Sequence, residues 1–195
     1  MPRYDVPKAA PEPLRLVQRF VNTVDDEHGR ELLGSPAQLR GWLGEHLSVE
    51  VARVKPGDLE RAIELRESLR SLLLGNNGLV TSPARVAAIN RAAREARLSI
   101  EVTPSGQVAF EPEAKGVAGA LGRIVAVALE AMLDGSWQRL KACRQCEWSY
   151  YDYSRNHSAR WCSMSICGNR AKTKAYRRRS ARSTAQPAPP NCRSR

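Results

Sequence analysis

The residues best suited to chemistry are cysteines, and none of the five precedes Cys143. Cys143-x2-Cys146 is followed, fifteen residues later, by Cys162-x4-Cys167. Zn²⁺ takes four soft ligands at tetrahedral corners, and each short-spaced pair of thiolates supplies one edge of that tetrahedron. A redox dithiol at Cys143/Cys146 and an iron–sulfur cluster are the competing chemistries. Neither explains two pairs of thiols placed around an aromatic stretch. The spacing therefore predicts one Zn²⁺ per chain, held by Cys143, Cys146, Cys162 and Cys167. Cys192, amid Ala-Gln-Pro-Ala-Pro-Pro, reads as a free thiol on a disordered tail.

The charge is segregated in the same way. Residues 1–136 hold 17 Lys/Arg against 18 Asp/Glu, whereas residues 137–195 hold 14 Lys/Arg against Glu147 and Asp152 alone. The overall charge of +11 thus sits wholly in the last third. So concentrated a charge calls for a polyanion, nucleic acid first and an anionic membrane surface second. The longest strongly apolar run, Ile124–Leu129, is too short to cross a bilayer. Met1–Pro13 shows no secretory signal, so the expected compartment is the cytoplasm, where clustered thiols bind metal rather than pair.

These features divide the chain into a flexible 1–12, a near-neutral front domain 13–136, a cysteine module 137–180 and a basic, Pro-rich tail 181–195. The front domain reads as mostly helical. Leu14, Val17, Val21 and Val24 recur at helical spacing over 13–24. Ser35-Pro36 and Ser82-Pro83 are helix starts, the first presenting Leu39, Trp42 and Leu43. Asp58 is read as the cap of a helix burying Leu59, Ala62, Ile63, Leu69 and Leu73 and ending at Gly75. Leu98, Ile100 and Val102, then Val108 and Phe110, alternate around Pro104-Ser105-Gly106 as a hairpin. A long helix follows over 113–134, its stripe made by Val117, Leu121, Ile124, Val125, Ala128 and Met132. Gly116, Gly119 and Gly122 on that helix point to close packing, or to a ligand approaching bare backbone. His28 after Asp25-Asp26-Glu27 reads as solvated charge, and Asn22-Thr23 as a helix cap or a polar pocket contact.

A module of about 45 residues has too little core to fold alone, and a structural metal supplies what is missing. Trp148–Tyr153 reads as a strand, Ser154–Ser158 as a turn and Ala159–Trp161 as the returning strand. A helix starting at Ser163 or Ser165 runs past Tyr176 into Arg177-Arg178-Arg179. The fold class expected is α+β: a mostly helical domain with a β-hairpin, then a small treble-clef-like zinc finger with four cysteine ligands.

Cys162-Ser-Met-Ser-Ile-Cys167-Gly168-Asn169-Arg170-Ala-Lys172, preceded by Asp152-Tyr-Ser154-Arg155-Asn156 and Trp161, strongly resembles the bacterial CGNR zinc finger. Asn22-Thr23-Val24, Trp42-Leu43 and the Leu65–Arg70 stretch resemble its usual companion, the ABATE-type domain of stress-induced transcription regulators. The resemblance implies a regulatory, DNA-binding protein involved in a stress response.

Arg170, Lys174, Arg177 and Arg178 recur at three- and four-residue steps and share one helix face. Arg155, His157 and Arg160 come from the hairpin, and Lys172 and Arg179 add charge on the helix. Together they suit a phosphate backbone. Asn169 and Arg170 have side chains able to read adenine and guanine edges, or to support the metal loop. Trp148, Tyr150, Tyr153 and Trp161 are read as module core, with base stacking the alternative. The leading reading is a zinc-dependent DNA-binding transcription regulator and not an enzyme. Its front domain would act as sensor or dimeriser, with a small-molecule effector and a second copy as candidate partners. An RNA-binding or protein-docking module is the alternative. A zinc-supported nuclease is the least favoured, for want of a general base beyond His157, Glu147 and Asp152.

Overall fold

The computed structural model describes residues 8–47, 49 and 51–184. Cys192 and the rest of 185–195 lie outside the described residues, as do residues 1–7. Six α-helices and three two-stranded antiparallel sheets occur among the described residues.

Helix α1 (Arg15–Val21) buries Val17, Phe20 and Val21. It is shorter than the 13–24 periodicity predicts, because the chain is diverted at its end. The Leu32 amide donates to the Thr23 carbonyl at 2.8 Å, opening a small hairpin of β1 (Val24–Asp25) and β2 (Arg30–Glu31). The tight turn Asp26–His28 joins them, closed by Gly29 at φ +62°, a left-handed conformation that favours glycine. In sequence this segment looks like no more than a polar loop.

Helix α2 (Pro36–Leu47) starts as predicted, with the Ser35 hydroxyl accepting the Gln38 amide at 3.3 Å. In α3 (Pro56–Gly75) the cap position belongs to Lys55, not Asp58. Asp58 sits in the first turn and accepts the Lys55 amide at 2.7 Å, satisfying a helix-end donor from inside. Ile63 is only half-buried, whereas Leu65 is in the core. Helix α4 (Pro83–Glu95) leads into β3 (Leu98–Val102) and β4 (Val108–Pro112), paired Ile100 to Phe110 and Val102 to Val108.

Helix α5 (Gly116–Asp134) is the central element, packed against α1, α3, α4 and β4. By length and composition it could span a membrane, but most of it is buried inside the domain as the core helix. The short run Ile124–Leu129 is thus only the most apolar part of a longer apolar helix. Val117, Leu121, Ile124, Val125 and Ala128 are buried as predicted, and Met132 is exposed. Gly119 and Gly122 serve close packing, whereas Gly116 has open space around it and takes a left-handed φ of +66° at the helix start. A Cβ on Gly122 would lie 2.2 Å from the Ala96 Cβ and 3.2 Å from that of Pro112. Gly122→Ala is therefore expected to destabilise by about 1–3 kcal/mol despite its better helix propensity. Gly41→Ala in α2, where the added methyl meets nothing within 4 Å, should be neutral or stabilising. Denaturant midpoints of the two variants check the contrast.

After α5 the chain enters β5 (Leu140–Ala142) and β6 (Ser149–Tyr151), and ends in a π-helical turn (Met164–Gly168) running into α6 (Asn169–Thr184). The strand partner of β6 is β5, not the predicted 159–161, which is irregular. The hairpin therefore encloses the first cysteine pair rather than separating the two pairs. Trp137, Leu140, Ala142 and Tyr151 belong to the same apolar cluster as Phe20, Leu69 and Ile124. One core thus crosses the 136/137 boundary.

Candidate metal centre and the basic helix

Cys143 follows β5, where its amide donates to the Trp148 carbonyl at 3.0 Å and its carbonyl accepts the Glu147 amide at 2.9 Å. Glu147 takes φ +57° to close this tight knuckle. Cys162 and Cys167 flank and enter the π-helical turn, whose start is capped by the Ser163 hydroxyl accepting the Ile166 amide at 3.3 Å. All four Sγ atoms lie within 4.8 Å of one another. Sγ separations are 3.6 Å for Cys146–Cys162 and Cys162–Cys167, and 3.5 Å for Cys146–Cys167. These are far beyond the ~2.05 Å of a disulfide bond. They approach the edge of about 3.8 Å that a tetrahedron with metal–sulfur bonds of ~2.3 Å requires. The donor set and its spacing fit a four-coordinate soft dication.

The thiol electrostatics agree. Contacts from Cys146 and Cys162 push the Cys143 thiol far down, while those from Cys143 and Cys146 push Cys162 far up. Burial, with the same neighbours, pushes Cys167 up to about 12. Four thiolates so close cannot all ionise without a cation among them. Trp148 and Tyr150 pack with Cys143, Cys162 and Cys167 as a small second core, with Trp161 against it. These three aromatics are thus structural, whereas Tyr153 is exposed and its hydroxyl donates to the Ala9 carbonyl at 2.7 Å.

The loop between the cysteine pairs is organised by a residue pair that sequence reasoning missed. Lys141 and Asp152 are buried, and Lys141 Nζ donates to Asp152 Oδ2 at 2.8 Å and also to the His157 carbonyl. Asp152 further accepts the Ser154 amide at 2.9 Å and the Ala159 amide at 3.0 Å. Burial opposes its ionisation, but Lys141 and Ser154 outweigh that and hold the carboxyl at about 2. The two ends of the loop are so clamped, and Arg155, His157 and Arg160 project as exposed side chains. Asp152 stands out in sequence as one of only two acids in a basic module, but nothing in the sequence marks Lys141 as its partner.

The front domain grips this module with amides. Asn22 accepts the Ser149 amide at 2.7 Å and donates to the Ser149 carbonyl at 2.9 Å, as a neighbouring strand would. Asn22 also occupies the C-cap of α1, its amide bonding the Gln18 carbonyl at 3.0 Å, and its side chain adds this grip on the finger. Gln18 adds a bond to the same carbonyl at 3.2 Å. Asn76 donates to the Trp137 and Leu140 carbonyls, and Asn77 to those of Ala142 and Arg160. The sequence pattern ends α3 at Gly75 and assigns no role to the asparagines that follow. Lys8–Ala10 fall in the stretch expected to be flexible, yet they lie along β6: the Tyr151 amide donates to the Lys8 carbonyl at 2.9 Å, and Ala10 is buried.

Arg170, Lys174, Arg177 and Arg178 line one open groove with Asn169 and with Gln145 of the knuckle, enclosing about 820 Å³. Lys172 and Arg179, near 200° and 180° from Arg170 by the 3.6-residue repeat, fall on the opposite face. Arg155, His157 and Arg160 are not among the groove's lining residues. Asn169 Nδ2 donates to the Ser165 carbonyl at 3.0 Å, and Arg170 is ion-paired with Glu27 of the front domain. Among the described residues the four cysteines are the only cluster suited to a metal; His28 instead bonds Asp25 at 2.8 Å.

The ABATE family model, described as "Putative stress-induced transcription regulator", matches residues 14–135. The CGNR zinc finger model matches residues 139–180. No curated relative matches the sequence. A helical domain built on α5, spanning the first match and joined to a four-cysteine module spanning the second, places this chain in the ABATE family, with a CGNR zinc finger following its ABATE domain.

Proposed function

We propose that this protein is a cytoplasmic, zinc-dependent DNA-binding transcription regulator of a stress response. One Zn²⁺ per chain, bound by Cys143, Cys146, Cys162 and Cys167, holds the finger in shape. The observation that carries the reading is the groove, in which Arg170, Lys174, Arg177 and Arg178 converge beside the metal site. Four cations on one face of an exposed helix suit consecutive phosphates, and Arg155, His157 and Arg160 extend the positive surface from the clamped loop. Lys172 and Arg179, on the other face, contribute to the long-range field. Asn169 and Arg170 stand at the finger end of the groove, as candidates for base contact. A nuclease is disfavoured because Asp152 is committed to Lys141.

The front domain acts as sensor or dimeriser. An open groove of about 670 Å³ near Pro11, Leu14, Val108, Val127 and Glu130 is a place for a small-molecule effector.

Titration of duplex DNA against salt tests the reading. If about five phosphates are neutralised, log affinity falls with log salt at a slope of roughly −4 to −5. Arg177→Ala with Arg178→Ala should weaken binding to all sequences and flatten that slope by about two. A zinc-loaded, folded protein that ignores duplex DNA at low salt would overturn the reading, and tight binding of RNA by the same sample would replace DNA as partner.

A further inference from the structure

Glu27 ends the acidic run Asp25-Asp26-Glu27 in the turn between β1 and β2. It belongs to the front domain, yet its carboxylate is ion-paired with Arg170 at the start of α6, 143 positions along the chain. Arg170 is one of the four cations that line the basic groove. An acid from one module therefore engages a groove cation of the other.

The turn carrying Glu27 is held at both ends. Asp25 is buried and bonds His28 at 2.8 Å and Arg30 at 3.4 Å. Behind it, Arg66 of α3 reaches Thr23 at 3.2 Å and Glu31 at 2.7 Å. Ahead of it, the Arg30 guanidinium lies 6.0 Å from the ring centre of Trp148, in the finger's small core. The position of Glu27 over α6 is thus set by α3 on one side and by the finger on the other.

A guanidinium binds carboxylate and phosphate with the same donor geometry, so the two compete for it. We propose that Glu27 is an internal phosphate mimic: it occupies Arg170, so that a nucleic-acid backbone must displace it or forgo that contact. The front domain thereby sets the finger's affinity. This inference rests on the reading of the α6 groove as the nucleic-acid face. The pair is substantially solvated on the Arg170 side, so it contributes little to folding and yields readily. It tunes binding rather than blocking it.

The test is a titration of zinc-loaded full chain with fluorescent duplex DNA over a range of salt, using Glu27→Gln and Glu27→Ala. Both variants should bind about five- to tenfold more tightly at about 0.1 M salt, with a log–log slope steeper by about one, the signature of one added phosphate contact. Arg170→Ala, a groove residue whose loss weakens binding by itself, should abolish the gain, so that Glu27→Gln added to Arg170→Ala brings no further tightening and no steeper slope. Metal content and melting, measured in the same samples, should not move. Unchanged or weaker binding by both Glu27 variants overturns the inference; if Arg177→Ala with Arg178→Ala still weakens binding, the nucleic-acid reading itself stands. If neither wild type nor Glu27→Gln binds at low salt, both are withdrawn.

Discussion

Removing the metal is expected to lower the melting temperature of the whole chain, not merely to unravel residues 139–180. Structural zinc sites carry apparent binding energies of about 10–16 kcal/mol, and a zinc held by these four cysteines would contribute such energy to folding. The first knuckle is the tip of the β5–β6 hairpin, and that hairpin supplies Leu140, Ala142 and Tyr151 to the core built on α5. If the hairpin opens, the side chains of Asn22, Asn76 and Asn77 lose their partners as well. A buried polar group left unpaired costs about 1–3 kcal/mol, and these losses fall on the front domain. The division at 136/137 read from composition predicts a front domain indifferent to chelator; the shared core reverses that expectation. Calorimetry with and without chelator distinguishes the two, as does a chain ending near Ser136, expected to melt well below the intact protein. Metal analysis should return about one equivalent for wild type and for Cys192→Ser, and well under that for Cys162→Ser. An unshifted front-domain transition after chelation would show that the modules fold independently.

The second large effect is expected at Lys141–Asp152. Removing one partner of a buried ion pair leaves the other charge uncompensated, at a cost of about 3–5 kcal/mol. Lys141→Met and Asp152→Asn should each approach that loss, while Lys141→Met combined with Asp152→Leu should recover part of it. The pair also makes stability acid-sensitive. Asp152 has a folded value of about 2, below the ordinary carboxylate value. Its contribution is therefore fully present above about pH 4–5 and is lost as pH falls toward about 2. Glu31 is shifted the same way: burial opposes its ionisation, and the hydrogen bonds from Arg66 and the Leu33 amide prevail. Denaturant unfolding from about pH 6 down to about pH 2 should show the gap between wild type and Asp152→Asn closing over that window. A gap constant with pH would mean that the aspartate stabilises by packing alone.

Features that depend on spacing and period were legible in the chain alone. Four thiols in two short-spaced pairs have few chemical uses, so the metal cluster could be read from Cys143 to Cys167. The 3.6-residue rhythm of α5, the alternation of β3 and β4, and the face shared by Arg170, Lys174, Arg177 and Arg178 are local patterns of the same kind. Pairings between distant residues emerged only on folding. β6 pairs with β5 because the knuckle folds the chain back at Glu147, and no local pattern at 159–161 discloses that this stretch is left out. Asn22 looks like a helix-end residue in sequence, since a short amide side chain suits a cap as well as a strand edge, and no pattern assigns Asn77 a role. They became the front domain's grip on the finger because backbone groups 127 and 65 positions away needed partners there. Charge followed the same division. Composition placed the positive excess after residue 136, but only the folded chain brings Glu27 against Arg170 and buries Lys141 with Asp152. Coulombic partners are chosen by distance in space, which the order of residues along the chain does not encode.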